Sequence, residues 1–333
     1  MTKRLVPLYL VAALMAVGIG FYSWYVQGVD LPFPRRKQPQ ASPGPGTWVV
    51  LARMPTARTE VGVGELQGRI YAIGGFDGLG RTVNTAEEYD PNRDSWREVA
   101  PLPLALHHVG VATVEGRLYV IGGLAGGGFT PSNTLFSYDP SQDRWQTKAP
   151  LPSPRGALAA VTLGRKLYAI GGISDSGISS DNAVYDPQCD CWEQKAPMPN
   201  PRDHLSAAAI DGKIYVAGGR RGSLSTNLSL LEIYDPVADK WSTGPPMPTA
   251  RGGIAAAALQ DMLYVFGGEH PGGTFSENEG FDTRSGKWQS LIPMPTARHG
   301  LGAAALGDRI YVISGGKRPG LSVSGQNEAF IPK

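Results

Sequence analysis

The 333-residue chain has little cysteine and little net charge, and each scarcity excludes a class of function. A formal charge of +2 at pH 7 gives no electrostatic reason to expect nucleic acid as a partner. The two cysteines, Cys189 and Cys191, are too few for a disulfide framework or a four-cysteine zinc site. We expect them to be ordinary turn residues, with a local disulfide as the alternative if the domain is exported.

Long apolar runs are also scarce, and one stands at the start of the chain. Residues 5–26 follow Lys3 and Arg4 and form a mostly apolar stretch long enough to cross a bilayer, with four aromatic residues between positions 21 and 25. We predict a transmembrane signal-anchor over residues 1–26, with a cleaved signal peptide as the alternative, and a proline-rich linker over residues 27–46. The protein would then be a single-pass membrane protein whose folded part, residues 47–333, is extracytoplasmic, either periplasmic or extracellular.

Glycine, by contrast, is abundant and periodic. Six Gly-Gly pairs, 47 to 49 residues apart, each end an apolar run: Gly74-Gly75, Gly122-Gly123, Gly171-Gly172, Gly218-Gly219, Gly267-Gly268 and Gly315-Gly316. Six tryptophans keep the same period: Trp48, Trp96, Trp145, Trp192, Trp241 and Trp288. A period near fifty is typical of an array of one supersecondary unit. Recurring residues are then mostly structural, so functional residues are sought where the copies differ.

Each copy predicts four antiparallel strands. In the second copy, four runs of strand-forming residues, 108–115, 118–121, 134–138 and 145–148, are separated by turn signals. The first strand of most copies is rich in alanine, which suits the crowded innermost strand of sheets arranged around an axis. The last copy lacks a fourth strand, and an unpaired strand around Trp48 precedes the first copy. Together they complete a sixth sheet and remove the exposed edges of an open array.

The recurring elements are Met-Pro-x-x-Arg, Gly-Arg/Lys-x-Tyr-x-x-Gly-Gly, Tyr-Asp-Pro and Trp, and in this order they resemble the kelch repeat over residues 47–333. The departures are Leu106 in place of the arginine, Phe281 in place of the tyrosine, and the loss of the Tyr-Asp and Trp elements from the last copy. The resemblance implies an all-β, six-bladed kelch-type β-propeller closed by an N-terminal strand. Such propellers serve mainly as interaction platforms, and a minority are enzymes, so the resemblance alone does not fix a function.

In a four-stranded meander, the Met-Pro-x-x-Arg connections and the loops after the Gly-Gly pairs lie on one face, which we call the loop face. The Asp-Pro turns lie on the other, the turn face. All five histidines and all five recurring arginines fall on the loop face. Binding residues concentrate on such loops. The candidate ligand-binding residues are Arg58, Glu60, His107, His108, Arg202, His204, Arg220, Arg221, Arg251, Glu269, His270, Arg298, His299, Lys317 and Arg318.

The leading hypothesis is a non-catalytic, monomeric binding platform, tethered to a membrane through residues 5–26, whose cationic loop face binds an acidic protein segment or a carboxylate-bearing glycan. The alternative is a carbohydrate-active enzyme resembling the exported kelch-like mutarotases (epimerases) of sialic acid, with a loop-face glutamate or histidine as general acid or base. For the recurring arginines, a purely structural role is the competing interpretation. The histidine spacing contains no short metal-binding motif, so the sequence predicts neither a metal site nor a cofactor.

Overall fold

Short apolar runs separated by turns form strands throughout residues 44–333, which are the residues that the computed structural model describes. The predicted anchor, residues 1–26, and nearly all of the predicted linker lie outside that part of the chain. The strands, in chain order, are β1 (Thr47–Val50), β2 (Gly62–Leu66), β3 (Arg69–Ile73), β4 (Ala86–Asp90), β5 (Ser95–Val99), β6 (Gly110–Val114), β7 (Arg117–Ile121), β8 (Leu124–Ala125), β9 (Thr130–Pro131), β10 (Leu135–Asp139), β11 (Arg144–Thr147), β12 (Ala159–Leu163), β13 (Lys166–Ile170), β14 (Ile173–Ser174), β15 (Gly177–Ile178), β16 (Asn182–Asp186), β17 (Cys191–Lys195), β18 (Ser206–Ile210), β19 (Lys213–Ala217), β20 (Leu231–Asp235), β21 (Lys240–Thr243), β22 (Ala255–Leu259), β23 (Met262–Phe266), β24 (Glu269–His270), β25 (Gly273–Thr274), β26 (Asn278–Asp282), β27 (Lys287–Ser290), β28 (Gly302–Leu306), β29 (Arg309–Ile313) and β30 (Asn327–Ile331).

Six four-stranded antiparallel sheets form the blades of a propeller, as the sequence predicted. They are blade I (β2–β5), blade II (β6, β7, β10, β11), blade III (β12, β13, β16, β17), blade IV (β18–β21), blade V (β22, β23, β26, β27) and blade VI (β28, β29, β30, β1). The first strands, β2, β6, β12, β18, β22 and β28, contact one another in a ring around the axis. Three two-stranded ribbons, β8–β9, β14–β15 and β24–β25, extend from the loop face.

Small residues line the axis because neighbouring first strands approach closely. A Cβ atom on Gly110 of β6 would lie 2.7 Å from the Cβ of Ala160 in β12. Larger side chains fill the space between blades instead. Six apolar clusters each combine residues from two adjacent blades, such as Tyr71 of blade I with Leu118 and Tyr138 of blade II. Burial between sheets is therefore what holds the array together.

The recurring tryptophans also join successive blades through hydrogen bonds. The indole Nε1 of Trp96 donates to the carbonyl oxygen of Ala52 at 2.8 Å, and that of Trp145 donates to Ala100 at 2.7 Å. In the last blade the N-terminal strand β1 pairs antiparallel with β30, with Trp48 opposite Phe330. The predicted closure by the N-terminal strand is thus confirmed, and blade VI has no missing strand.

The turn face carries two features of the predicted Asp-Pro turns. The carboxylate of each aspartate accepts a hydrogen bond from the backbone two residues ahead, as when Asp186 accepts from Gln188 at 2.9 Å, which confirms the turn role expected for this residue. The expectation for the cysteines was wrong: Cys189 and Cys191, which flank one residue of the blade III turn, form a disulfide. A tight turn brings the two side chains to the same side of the chain.

One register prediction is also corrected. In blades I to V the second glycine of each Gly-Gly pair donates its N–H to a carbonyl of the next blade, as Gly219 does to Arg251 at 2.8 Å. In blade VI the residue that makes this bond is Gly315, which donates to Arg58 at 3.1 Å. The equivalent pair is therefore Ser314-Gly315 and not Gly315-Gly316. Within residues 44–333 no helix is long and apolar enough to cross a membrane.

Candidate functional site

The connections between blades and the loops after the second strands meet on one face, as the meander predicted. The residue after the recurring arginine, or after its leucine substitute, forms a β-bridge with the loop of its own blade. His107 is paired with Leu124 in this way, and Asp203 with Arg220. The equivalent contact in the last blade joins His299 to Gly316. The loop face is therefore a continuous surface around one end of the axis.

The recurring arginines are wholly enclosed by their own blades. Arg58, Arg155, Arg202, Arg251 and Arg298 each have no exposed surface. Arg58 donates to the Glu87 carboxylate at 2.6 Å and to the carbonyls of Gly74, Thr85 and Ala72. Arg202 and Arg298 are paired in the same way with Glu232 and Glu328. Their guanidinium groups stabilise the blade interiors, which is the structural interpretation of this motif, and they are not available to a ligand.

A closed ring of backbone hydrogen bonds surrounds the axis at the loop face. It contains one residue from each blade, two positions after the recurring arginine or its leucine substitute: Glu60, His108, Ala157, His204, Gly253 and Gly300. The N–H of each residue donates to the carbonyl of the one before, and Glu60 closes the ring on Gly300, with N···O distances of 2.7 to 3.0 Å. All six have φ between 52° and 70°, in the left-handed region. We call these residues the axial ring.

Glu60 is the centre of a cluster of histidines. His108 Nε2 lies 3.2 Å from Glu60 Oε2, and His299 Nδ1 lies 3.2 Å from Glu60 Oε1. Burial alone would raise the pKa of Glu60, but the imidazoles of His108, His299 and His204 outweigh it and hold that pKa well below its usual value. Burial also acts to lower the pKa of His299, but the carboxylates of Glu60 and Glu269 outweigh it and raise that pKa. The carboxylate form of Glu60 and the charged form of His299 are therefore favoured.

A second set of charges extends the cluster towards blades IV and V. Arg220 Nη1 donates to Glu269 Oε1 at 2.7 Å, and its Nε lies 3.5 Å from Asp203 Oδ1. His204 Nδ1 lies 2.5 Å from the same Asp203 oxygen, and Gly222 N–H donates to the other at 2.8 Å. Burial acts to raise the pKa of Asp203, but these partners outweigh it and lower the pKa. Arg220 is therefore held between two carboxylates.

His107 and His108 form a contacting pair on the other side of Glu60. Their Nδ1 atoms are 2.5 Å apart, and His107 Nε2 lies 3.4 Å from the carbonyl oxygen of Gly126. The His107 ring stacks on Phe76 with 3.9 Å between centroids. Burial lowers the pKa of His107 to about 4 and that of His108 well below its usual value. Burial thus favours the neutral form of both imidazoles.

The axial ring opens into a cavity of about 170 Å³ along the axis. Its walls are the small residues that begin the six first strands, and Glu60, His108 and His204 stand at its mouth. A carboxylate and two imidazoles at the entrance of this small cavity are polar groups that a small ligand would meet there. These groups can exchange protons with a ligand or coordinate a cation.

Apart from the four buried arginines among them, Arg58, Arg202, Arg251 and Arg298, the structure separates the predicted site residues into three groups. Glu60, His107, His108, His204, Arg220, Glu269 and His299 form the cluster at the mouth. His270 lies in the β24–β25 ribbon, where its Nδ1 accepts from Gly272 N–H at 3.2 Å, apart from that cluster. Arg221, Lys317 and Arg318 are exposed and, within residues 44–333, take part in no ion pair.

The sequence analysis did not single out Ala157, Gly253 and Gly300, which complete the axial ring. A positional signal was present, since each follows the recurring arginine by two residues. Their small side chains leave one half of the mouth open. The candidate list also lacks Asp203, because its role depends on contacts with His204 and Arg220 that spacing along the chain does not show.

The model of the KLHDC2/KLHL20/DRC7 Kelch-repeats domain matches residues 47–198 and 193–316. Among solved structures, one described as "Structure of YjhT" is similar, with a TM-score of 0.72 and 16% identity, over 84% of this chain and 96% of that chain. At that identity the similarity shows the fold alone. The comparison with curated proteins found no match.

Proposed function

Because this chain belongs to the kelch-repeat β-propeller family, we propose that its loop face is a non-catalytic binding platform for an anionic partner. The observation that carries the proposal is the group of exposed cations, Arg221, Lys317 and Arg318, on loops that border the channel mouth. Buried arginines and Arg220 are already neutralised by carboxylates, so these three supply the charge that a ligand would meet. An arginine fork binds a carboxylate through two parallel hydrogen bonds.

Two probes distinguish the two kinds of anionic partner. The full chain, in mild detergent, is titrated with N-acetylneuraminic acid and, separately, with a poly-glutamate peptide. We expect one of them to bind, with an affinity that falls as salt rises. Arg221→Ala and Arg318→Ala should weaken that binding about 3- to 10-fold each, since a partly exposed charge pair contributes roughly 1 kcal/mol.

The matched control is Arg144→Ala, which removes an exposed cation at the turn face. It should leave the affinity unchanged. Equal losses in Arg144→Ala and Arg318→Ala would show that only net charge matters and would reject the loop face as the site. Binding of neither probe would reject the proposed ligand class.

A sugar mutarotase is the second candidate, favoured by the carboxylate and imidazole that meet at the mouth. Glu60 Oε2 and His108 Nε2 are 3.2 Å apart. A carboxylate and an imidazole so placed can pass a proton to and from a sugar hydroxyl. The test is anomeric exchange of N-acetylneuraminic acid, followed by NMR with and without the full chain. Acceleration that is lost in Glu60→Gln would support this activity; exchange at the buffer rate would oppose it.

We also propose that residues 5–26 tether the propeller to a membrane and that the propeller is exported. The Cys189–Cys191 disulfide supports export, because such bonds persist in oxidising compartments. Protease added outside sealed vesicles tests both points. A propeller that is degraded only after the vesicles are opened, or one that does not sediment with the vesicles, would contradict this arrangement.

A further inference from the structure

Three members of the axial ring bring ligand atoms together. One ligand atom each of Glu60, His108 and His204 lies within 4.8 Å of the other two. His108 Nε2 and Glu60 Oε2 are 3.2 Å apart. In a tetrahedral metal site with ligands about 2.0 Å from the ion, neighbouring ligand atoms are ~3.3 Å apart. The pair therefore already has the separation of two ligands that share an ion.

The hydrogen bonds of His107 and His108 determine which nitrogen carries a proton. The Gly126 carbonyl can only accept, so His107 Nε2 donates to it. In the neutral ring His107 Nδ1 is then an acceptor, and the 2.5 Å contact requires His108 Nδ1 to donate. With its proton on Nδ1, the His108 ring presents a lone pair on Nε2, which lies 3.2 Å from Glu60 Oε2. Two acceptors this close without a proton between them repel, and a cation bound by both offsets that repulsion.

His204 is oriented by a carboxylate in the same way. The Asp203 side chain has no exposed surface, and its Oδ1 lies 2.5 Å from His204 Nδ1. That contact places the His204 proton on Nδ1 and leaves Nε2 as a free lone pair. Histidines that bind metals almost always donate their other nitrogen to a carboxylate or carbonyl in this manner. The side chains of His108 and His204 are only 7% and 8% exposed, so water does not fully solvate the two lone pairs.

The neighbouring group of Glu60, Glu269 and His299 shows the contrast. Its ligand atoms are equally close. Here, however, His299 Nε2 donates to the Arg318 carbonyl at 3.1 Å, and Nδ1 faces carboxylate oxygens of Glu60 and Glu269 at 3.2 and 3.4 Å. The carboxylates of Glu60 and Glu269 thus offset charge on this ring, although its buried Nδ1 makes no hydrogen bond. This group also contains one imidazole, where the first group contains two.

We propose that Glu60, His108 and His204 bind one divalent transition-metal ion at the mouth of the channel. Two imidazole nitrogens and one carboxylate suit Zn²⁺ and its neighbours in the first transition series, whereas Mg²⁺ and Ca²⁺ prefer oxygen ligands throughout. Ala157, Gly253 and Gly300 occupy the rest of the axial ring and provide no ligand atom. Three protein ligands would leave one position of a tetrahedral ion for water or another ligand. This inference stands apart from the proposed function, because it concerns the ion and not the anionic partner.

The test is titration of the chelator-treated full chain with Zn²⁺ by calorimetry and with Co²⁺ by visible absorption. We expect one ion per chain and a Co²⁺ spectrum typical of low-symmetry nitrogen and oxygen ligation. His108→Ala, His204→Ala and Glu60→Gln should abolish saturable binding. Asp203→Asn, which removes the carboxylate that orients His204, should weaken Zn²⁺ binding about 10- to 100-fold.

His270→Ala is the matched control, since it removes a loop-face histidine outside the cluster and should bind Zn²⁺ like the native chain. Circular dichroism establishes that each variant is folded. Glu60→Gln keeps the size of the side chain and serves if an alanine variant is unfolded. The proposal is overturned if the folded native chain binds no Zn²⁺, or if it binds Zn²⁺ equally well after His108→Ala and His204→Ala. Neither result depends on N-acetylneuraminic acid or poly-glutamate, so it leaves the binding platform to its own test.

Discussion

The buried arginines illustrate how a single blade can replace a charged pair with an apolar one. Blade II has Leu106 where the others have arginine, and Phe136 where blades I, IV, V and VI have glutamate. Both residues belong to the apolar cluster between blades I and II. The two replacements occur together because either charge alone would be buried without a partner. Replacing a buried ion pair with apolar residues is often neutral, whereas breaking it is not.

This pattern predicts the outcome of a substitution pair in blade IV. Arg202→Leu leaves the buried Glu232 carboxylate unpaired and should lower the free energy of unfolding by about 3–5 kcal/mol. The double variant Arg202→Leu/Glu232→Phe reproduces the blade II combination and should be more stable than Arg202→Leu. Denaturant unfolding of both variants measures the difference. A double variant less stable than the single one would contradict this account.

Ser314 occupies a place that glycine holds in the other blades, and its side chain explains why. Its φ is 66°, and its hydroxyl donates to the carbonyl of Arg58 at 2.6 Å. In blade III the equivalent residue is Gly171, whose added Cβ would lie 2.8 Å from the carbonyl oxygen of Arg202. The serine hydroxyl converts a close contact into a hydrogen bond.

We therefore expect Gly171→Ser to be better tolerated than Gly171→Ala. In the alanine variant, a residue with a Cβ atom must adopt a left-handed backbone conformation, and that atom lies close to the carbonyl oxygen of Arg202. We expect the variant to lose about 1–3 kcal/mol of stability. Thermal unfolding of the two variants provides the measurement. Equal losses would mean that the hydroxyl bond seen at Ser314 does not compensate for the contact.

At the scale of the structural element, the Asp-Pro turns are linked to the preceding blade by one carboxylate. In blade IV the Tyr234 hydroxyl donates to Asp239 at 2.6 Å, and the N–H of Ala196 donates to the same oxygen at 2.9 Å. Blade V has Phe281 and Gly286 in place of the tyrosine and aspartate, and the residue facing them is Pro245, which has no N–H. The hydroxyl, the carboxylate and the backbone N–H of this arrangement are therefore all absent from blade V. Without a carboxylate to accept a hydrogen bond, a tyrosine hydroxyl has no role there, and phenylalanine suffices.

We expect the hydrogen bond from the Tyr234 hydroxyl to affect the pKa of Asp239. The Tyr234 hydroxyl and the Ala196 N–H lower the pKa of Asp239. A lowered folded pKa means that this carboxylate stabilises the fold above its unfolded pKa, about 3.9, and that the contribution is lost as pH falls through the folded pKa. Tyr234→Phe should raise the pKa of Asp239, and its loss of stability relative to the native chain should shrink in acid.

Carboxyl-carbon NMR of Asp239 measures that pKa directly, and unfolding at several pH values measures the stability. Asp282, in the blade V turn that has no tyrosine, is the internal control and should titrate identically in both proteins. An unchanged Asp239 pKa in Tyr234→Phe would show that the hydrogen bond contributes nothing to the turn.

The elements themselves were largely predictable, because strand periods, turn residues and small first strands are local properties. Assigning the loops to one face also followed from the meander alone. Three features could not be predicted in this way. The last Gly-Gly pair was placed one residue too far, because it was assigned by residue type and not by its position relative to the strand. The Cys189–Cys191 bond depends on the turn's geometry. The meeting of Glu60, His108 and His204 depends on ring closure, which brings residues one to three repeats apart in sequence onto one axis.

At the scale of the whole molecule, closure depends on the first strand. Trp48 of β1 packs against Phe330 of β30, with 5.2 Å between ring centroids, and its indole Nε1 donates to the carbonyl of Ile292 in the connection after blade V at 3.0 Å. These contacts join the start of the described chain to its last strands. A propeller that lacks them keeps its other blades but has a free sheet edge.

Trp48→Ala should therefore open blade VI locally. Amide hydrogen exchange is expected to accelerate in β28, β29 and β30 more than in blades II to IV. Trp145→Ala, which removes the equivalent indole from blade II, is the control and should accelerate exchange around its own blade. Uniform acceleration throughout the propeller in both variants would indicate that the molecule opens only as a unit.

The axial ring separates the shape of the site from its chemistry. Its six hydrogen bonds use backbone atoms alone, so they do not depend on the side chains of the six residues. Three of these residues are Ala157, Gly253 and Gly300. A substitution such as Ala157→His would therefore set a third imidazole between the two that are present without moving the frame. The same blades can thus acquire, lose or exchange a reactive group by changing one residue at a time, which gives this fold a route to new chemistry that leaves its architecture intact.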